Sequence, residues 1–102
     1  MAAIYHITSQ TEWNNATKTG SYTAPSLKTE GFIHCSKAEQ VQGVLQRYFA
    51  GKINLVKLTI DTTKLTAPLR YELAPSLNEE FPHIYGTINP DAVIKVEEIS
   101  GE

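Results

Sequence analysis

What most constrains this chain is the order in which its hydrophobic periodicities change: helix signals sit early, and strand signals sit late. Ala2 to Thr8 opens as an apolar and aromatic strand centred on Ile4, Tyr5 and Ile7. Ser9-Gln10-Thr11-Glu12 fits a capping box, in which the serine hydroxyl accepts the Glu12 amide and the carboxylate reaches back to the serine N–H. A short helix carrying Trp13 and Ala16 on one face follows and ends near Gly20. Residues 21–30 read as a loop with room for one short strand, and Gly31 to Cys35 as a second strand. Ser36-Lys37-Ala38-Glu39 is another capping box, with Ser36 as the cap. Val41, Val44, Leu45, Tyr48 and Phe49 then recur at helical spacing up to Gly51. From there the pattern is strand-like: 53–60, 69–73, 81–86 and 93–99, with a polar loop over 74–80 and a turn at 89–92. Pro82 keeps Phe81 extended. Helices first and strands last imply an α+β fold, a mixed or antiparallel split sheet with two helices, rather than a regularly alternating α/β chain.

Composition narrows the class further. The 102 residues make one domain, 1–102, with no room for a second core. The apolar fraction of 41% is an ordinary globular value. Nine basic and eleven acidic residues leave a net charge of -2, and the basic ones are scattered. That argues against nucleic acid as a partner, although spacing along the chain does not show clustering on the surface. The N-terminal stretch has neither the basic nor the apolar region of a signal peptide, and no apolar run is long enough to span a membrane. Cys35 is the single cysteine, so no internal disulfide forms and a zinc finger lacks ligands. A cytoplasmic location, no membrane partner and a small-molecule ligand are the expectations.

The three histidines carry the functional argument. His6, His34 and His83 each lie inside a strand segment between apolar or aromatic neighbours, not in polar loops. An imidazole there projects onto the core or onto a cleft. Each alone fits a buried histidine satisfied by a carbonyl; together they point to one shared polar site. Zinc on three histidines competes, but no pair shows close ligand spacing, so no metal is expected. Cys35 beside His34 competes as a nucleophile, yet adjacent strand residues face opposite ways. If Ser36 is a cap, free N–H groups after His34 form an anion site. Arg70 and Glu72 share a strand face, either as a surface ion pair or as site groups, while Glu79 and Glu80 read as loop charges.

The segments I-Y-H-I-T (4–8), E-G-F-I-H-C-S (30–36), R-Y-E (70–72) and F-P-H-I-Y-G (81–86) resemble the domain-of-unknown-function family 952, nearly end to end. That family resembles the ADP-ribosyltransferase superfamily in fold: two small sheets splayed around an NAD-binding cleft. The resemblance implies that His6 hydrogen-bonds the ribose of NAD. It implies that Phe32 or His34 forms the nicotinamide wall, and that Ser36 supports the cleft. The superfamily's third motif supplies a glutamate, whereas this chain offers His83 and Tyr85 there, with Glu72 as a substitute.

Two functions follow. One is an NAD- or nucleotide-handling enzyme, an ADP-ribosyl transferase or a nucleotide hydrolase. His6, His34, His83 and Glu72 would be its catalytic residues. His6, Phe32, Ser36, Arg70 and Tyr85 would hold the nucleotide, Arg70 through a phosphate. The other is a non-catalytic module binding a small nucleotide or other anion in the same cleft. A structural protein without a ligand is the plainest reading, since fold likeness alone is a weak warrant for function.

Overall fold

The computed structural model describes residues 2–101. Its strands form two three-stranded sheets, and every pairing within them is antiparallel. The first sheet has the order β1-β3-β6, from Ala3–Ser9, Leu55–Asp61 and Val93–Ile99. The second has the order β2-β5-β4, from Ile33–His34, Glu79–Ile84 and Leu69–Ala74. Both sheets are therefore antiparallel rather than mixed: β4 and β5 are joined by a tight hairpin, whereas β1–β3, β3–β6 and β2–β5 pair strands that are distant in sequence.

Three helices, not two, accompany the sheets: α1 (Gln10–Thr19), α2 (Pro25–Glu30) and α3 (Val41–Tyr48). α1 begins as the sequence predicts, with the Ser9 hydroxyl accepting the Glu12 N–H at 3.1 Å. It buries Trp13 and Ala16 and stops at Gly20, whose φ of 86° is left-handed. α2 occupies the segment expected to be a loop. Pro25 stands in its first turn, where a missing N–H costs nothing, and Gly31 terminates it at φ 89°.

Ser36 is not a helix cap. Its backbone is held extended against β1, with the Tyr5 N–H donating to Ser36 O at 2.8 Å and the Ser36 N–H donating to Tyr5 O at 2.7 Å. A strand bridge satisfied on both sides fixes Ser36 before any helix begins. Lys37 becomes the boundary residue, and its N–H donates to the Gln40 side chain at 2.9 Å. A single 3-10 turn, Ala38–Gln40, leads into α3. The polar loop over 74–80 is also shorter than expected, because β4 and β5 run on through Ala74 and Glu79 into one hairpin.

The first sheet is covered on both faces. Ile4, Val56, Leu58 and Ile60 face the main core with Trp13, Tyr22, Ile33, Ile84 and Ile88. Ile7 and Leu55 face the other way, beneath Leu45 of α3 and the neighbouring Val44 and Phe49. Leu58, Ile60, Ile33, Ile84 and Ile88 are fully buried. Each contributes about 1.5–3 kcal/mol through loss of apolar surface to water. The Tyr5–Ser36 bridge ties the outer edge of β1 to the end of β2, and the space beside it becomes the cleft. No helix among the described residues is long and apolar enough to cross a membrane.

Candidate functional site

A cleft of about 480 Å³ opens along the edge of β1, between the two sheets and the C-terminal end of α3. His6, His34 and His83 all line it, together with Ser36 and the buried Cys35. Tyr48, Phe49, Leu73, Leu77 and Phe81 form its apolar arm. The volume falls in the range of ordinary small-molecule sites. The three histidines thus meet in one cavity, but in two different chemical states.

His6 is sealed. Its Nδ1–H donates to the carbonyl of His34 at 2.6 Å, and its Nε2 accepts the Tyr22 hydroxyl at 2.7 Å. With a carbonyl on one nitrogen and a hydroxyl donor on the other, the neutral Nδ1–H tautomer satisfies both. Burial disfavours the cation and lowers the pKa of His6 to about 4. Burial likewise raises the Tyr22 hydroxyl to about 12. His6 therefore joins β1, the chain before α2 and the backbone of His34; both of its nitrogens are already engaged.

His34 and His83 are built differently. They stand opposite one another across β2 and β5, and Arg70 stands opposite His83 across β4. Side chains directly opposite share a sheet face, so the register draws His34, His83 and Arg70 into one row. The His34 and His83 rings meet edge to face, with centroids 5.3 Å apart. Each has a carboxylate partner: His34 Nε2–H donates to Glu30 at 2.9 Å, and His83 Nδ1–H donates to Glu72 at 2.8 Å. The second nitrogen of each makes no hydrogen bond among the described residues.

Glu72 also accepts the Tyr85 hydroxyl. That bond first, and the His83 bond second, hold the Glu72 carboxyl below its usual range. The same bond raises the Tyr85 hydroxyl. Phe32 stacks on His83 with centroids 4.0 Å apart and the planes 19° from parallel. The Arg70 guanidinium sits 5.3 Å from the centre of the Tyr85 ring. The cleft lining itself carries His34 and His83 but no carboxylate; Glu30, Glu72, Phe32, Tyr85 and Arg70 stand behind or beside the two imidazoles. Carboxylates placed behind and free nitrogens in front are how a histidine is aimed at a reacting group.

Several expectations are revised here. His6 has both ring nitrogens engaged within the protein. Phe32 gives a face to His83, and Arg70 and Tyr85 flank the cleft without lining it. Ser36 lines the cleft and its hydroxyl makes no hydrogen bond among the described residues. Cys35 is buried, and desolvation pushes its thiol up, away from the thiolate that nucleophilic attack needs. Glu79 and Glu80 are strand residues, with Glu79 Oε1 and Glu80 O accepting from Gln40 Nε2. No group of three or more His, Cys, Asp or Glu among the described residues is arranged to hold a metal ion.

Glu30 and Tyr22 are site residues that sequence reasoning passed over. Glu30 is the last residue of a helix that looked like loop. Its signal was the Pro25–Gly31 bracket around a helix-length segment. Tyr22 had no local signal, because it reaches His6 only through the tertiary fold.

The architecture defines a small α+β protein with two antiparallel sheets around a histidine-lined cleft. Residues 7–96 match the family described as "Protein of unknown function (DUF952)", and the chain belongs to that family. The crystal structure of protein CC0527 from Caulobacter crescentus is similar, with a TM-score of 0.86 and 31% sequence identity over 95% of this chain and 85% of that one. The solution NMR structure of CC0527 gives a TM-score of 0.83 at 31% identity over 98% of this chain and 86% of that one. No curated protein matches the sequence.

Proposed function

We propose that this chain is a small nucleotide-handling enzyme in which His83, oriented by Glu72, acts as general acid–base on a ligand held in the cleft. One observation carries the reading. His83 has Nδ1 fixed on a carboxylate, one ring face covered by Phe32, and an edge presented to a cavity large enough for a nucleotide. A carboxylate that fixes the tautomer and orientation of a histidine prepares its other nitrogen for proton transfer. The Tyr85 hydroxyl anchors Glu72 in turn. The apolar arm from Tyr48 to Phe81 offers a base or another flat group an apolar surface.

Likeness to the ADP-ribosyltransferase superfamily belongs to this proposal, and NAD is the ligand that likeness suggests. The fit to NAD is poor at two points. His6, the residue implied for the ribose, has both nitrogens engaged, and Phe32, implied for the nicotinamide wall, is stacked on His83. The occupied nitrogens of His6 favour the alternative, a non-catalytic nucleotide-binding module.

Calorimetric titration with NAD, ADP-ribose and nucleoside phosphates, followed by turnover assays on the same panel, tests the reading. Binding with turnover that is lost in His83→Ala is the expected result. Binding without turnover selects the module, and no binding across the panel overturns both.

A further inference from the structure

The cleft contains two carboxylate-backed histidines where general acid–base chemistry needs only one. Their rings are 5.3 Å apart, in register across neighbouring strands, and each has one nitrogen free of protein partners among the described residues. No acidic side chain lines the cavity. Both nearby carboxylates, Glu30 and Glu72, are spent behind the imidazoles. That combination discriminates between reactions. Cleavage of a glycosidic bond develops oxocarbenium charge, which an anionic group beside the reacting carbon stabilises; this lining supplies none. A phosphodiester is already anionic. Its hydrolysis needs a proton removed from water on one side and a proton delivered to an alkoxide on the other, and imidazole with imidazolium supplies both.

We infer that the chain hydrolyses a nucleotide phosphodiester, with His83 and His34 as the base and acid on opposite sides of phosphorus. The inference rests on the nucleotide-binding reading above and names its reaction. His83 Nε2 takes a proton from water as the water oxygen bonds to phosphorus. The bond from phosphorus to one ester oxygen breaks, and protonated His34 gives its Nδ1 proton to that oxygen. The products are a phosphomonoester and an alcohol. Afterwards His83 holds the extra proton and His34 lacks one, and exchange with solvent restores both. His34, with 54% of its side chain exposed, reloads directly from water. His83, at 13% exposed and held by Glu72 and Phe32, keeps a fixed aim. The Ser36 hydroxyl, which lines the same cavity, is free to donate to a non-bridging oxygen.

The test uses the full chain, a 2′,3′-cyclic nucleoside monophosphate, and bis(p-nitrophenyl) phosphate, whose nitrophenolate leaves without a proton. The expected result is hydrolysis of both by the wild type. His83→Ala should lose about 10²–10⁴-fold on both substrates. His34→Ala should lose as much on the cyclic nucleotide and far less on the nitrophenyl ester. The pH–rate profile on the cyclic nucleotide should be bell-shaped. Glu72, Tyr85, Arg70 and His34 face His83, whereas Glu30 and His83 face His34. Glu72→Gln should therefore lower turnover of both substrates, and Glu30→Gln mainly that of the cyclic nucleotide. Thermal melts of each variant separate loss of chemistry from loss of fold. Nucleotide binding with no phosphodiester turnover, or with nicotinamide release from NAD instead, overturns this inference and leaves the nucleotide-binding reading standing. Turnover unchanged in both histidine variants overturns it as well. No nucleotide binding removes both.

Discussion

His6 and His83 are the same residue type, in strands of two facing sheets, lining one cleft, yet they do opposite things. His6 spends both nitrogens inside the protein, on a carbonyl and a tyrosine hydroxyl. His83 spends one on Glu72 and leaves the other without a protein partner among the described residues, in a ring that lines the cavity. The contrast extends to their sheets. β1 and β3 are seven-residue strands covered on both faces, whereas the β2-β5-β4 sheet is smaller, with His34, Arg70 and Glu72 on its more open face. One sheet supplies most of the buried core, and the other holds the imidazoles whose second nitrogens have no protein partner among the described residues. What separates the two histidines is the occupant of the second nitrogen.

The comparison is broken most decisively through turnover. His83→Ala should reduce turnover of the hydrolysed nucleotide by about 10²–10⁴-fold, roughly 3–5 kcal/mol of barrier, with little change in the urea midpoint. A comparable fall in stability would make His83 a structural residue like His6.

Next comes the core. Leu58 is fully buried in the central strand of the first sheet, and Leu58→Ala should cost about 2–5 kcal/mol in denaturant unfolding. Leu73, 56% exposed at the cleft mouth, should cost under about 0.5 kcal/mol when changed to alanine. Equal costs would end the division of labour between the sheets.

Acid sharpens the difference at His6 itself. Its pKa is about 4 folded against an ordinary 6.5, so between those values the unfolded chain binds more protons. Its contribution is complete above pH 6.5 and is lost progressively as pH falls from there to about 4, a loss of roughly 3 kcal/mol. Urea melts of wild type and His6→Asn should therefore converge by about that amount from pH 7 to pH 4. A constant gap would show that His6 is not held neutral.

The smallest test separates the two serines. Ser9→Ala should cost about 1 kcal/mol, since its hydroxyl caps α1, and Ser36→Ala only a few tenths, since its hydroxyl holds no backbone N–H. Reversed values would restore Ser36 as a cap.

The two serines also mark how far the sequence could be read. Both begin Ser-x-x-Glu, and local chemistry decided the first. The second was decided by Tyr5, thirty-one positions earlier, whose two backbone bonds hold Ser36 in a strand bridge. The β6 bounds, 93–99, and the Trp13–Ala16 face of α1 were legible because they follow from pattern and caps. α2 was missed because its six residues show no buried stripe. With α2 went Glu30, and so the carboxylate behind His34. The meeting of three histidines in one cavity was legible from their strand context. Which of them would be sealed was not, because that depends on Tyr22 and on a carbonyl twenty-eight residues away.

Trp13, described above only as a core side chain, is the single indole of the chain and lies outside the cleft lining. Its emission accordingly reports on the interior beneath α1 and hardly at all on what enters the cavity. A red shift marks water reaching the first sheet, and a ligand that filled the cleft without disturbing that sheet would leave the spectrum unchanged. The protein thus carries an optical channel for unfolding at a residue outside the cavity lining, so a melting curve followed at Trp13 complements a binding curve followed by heat.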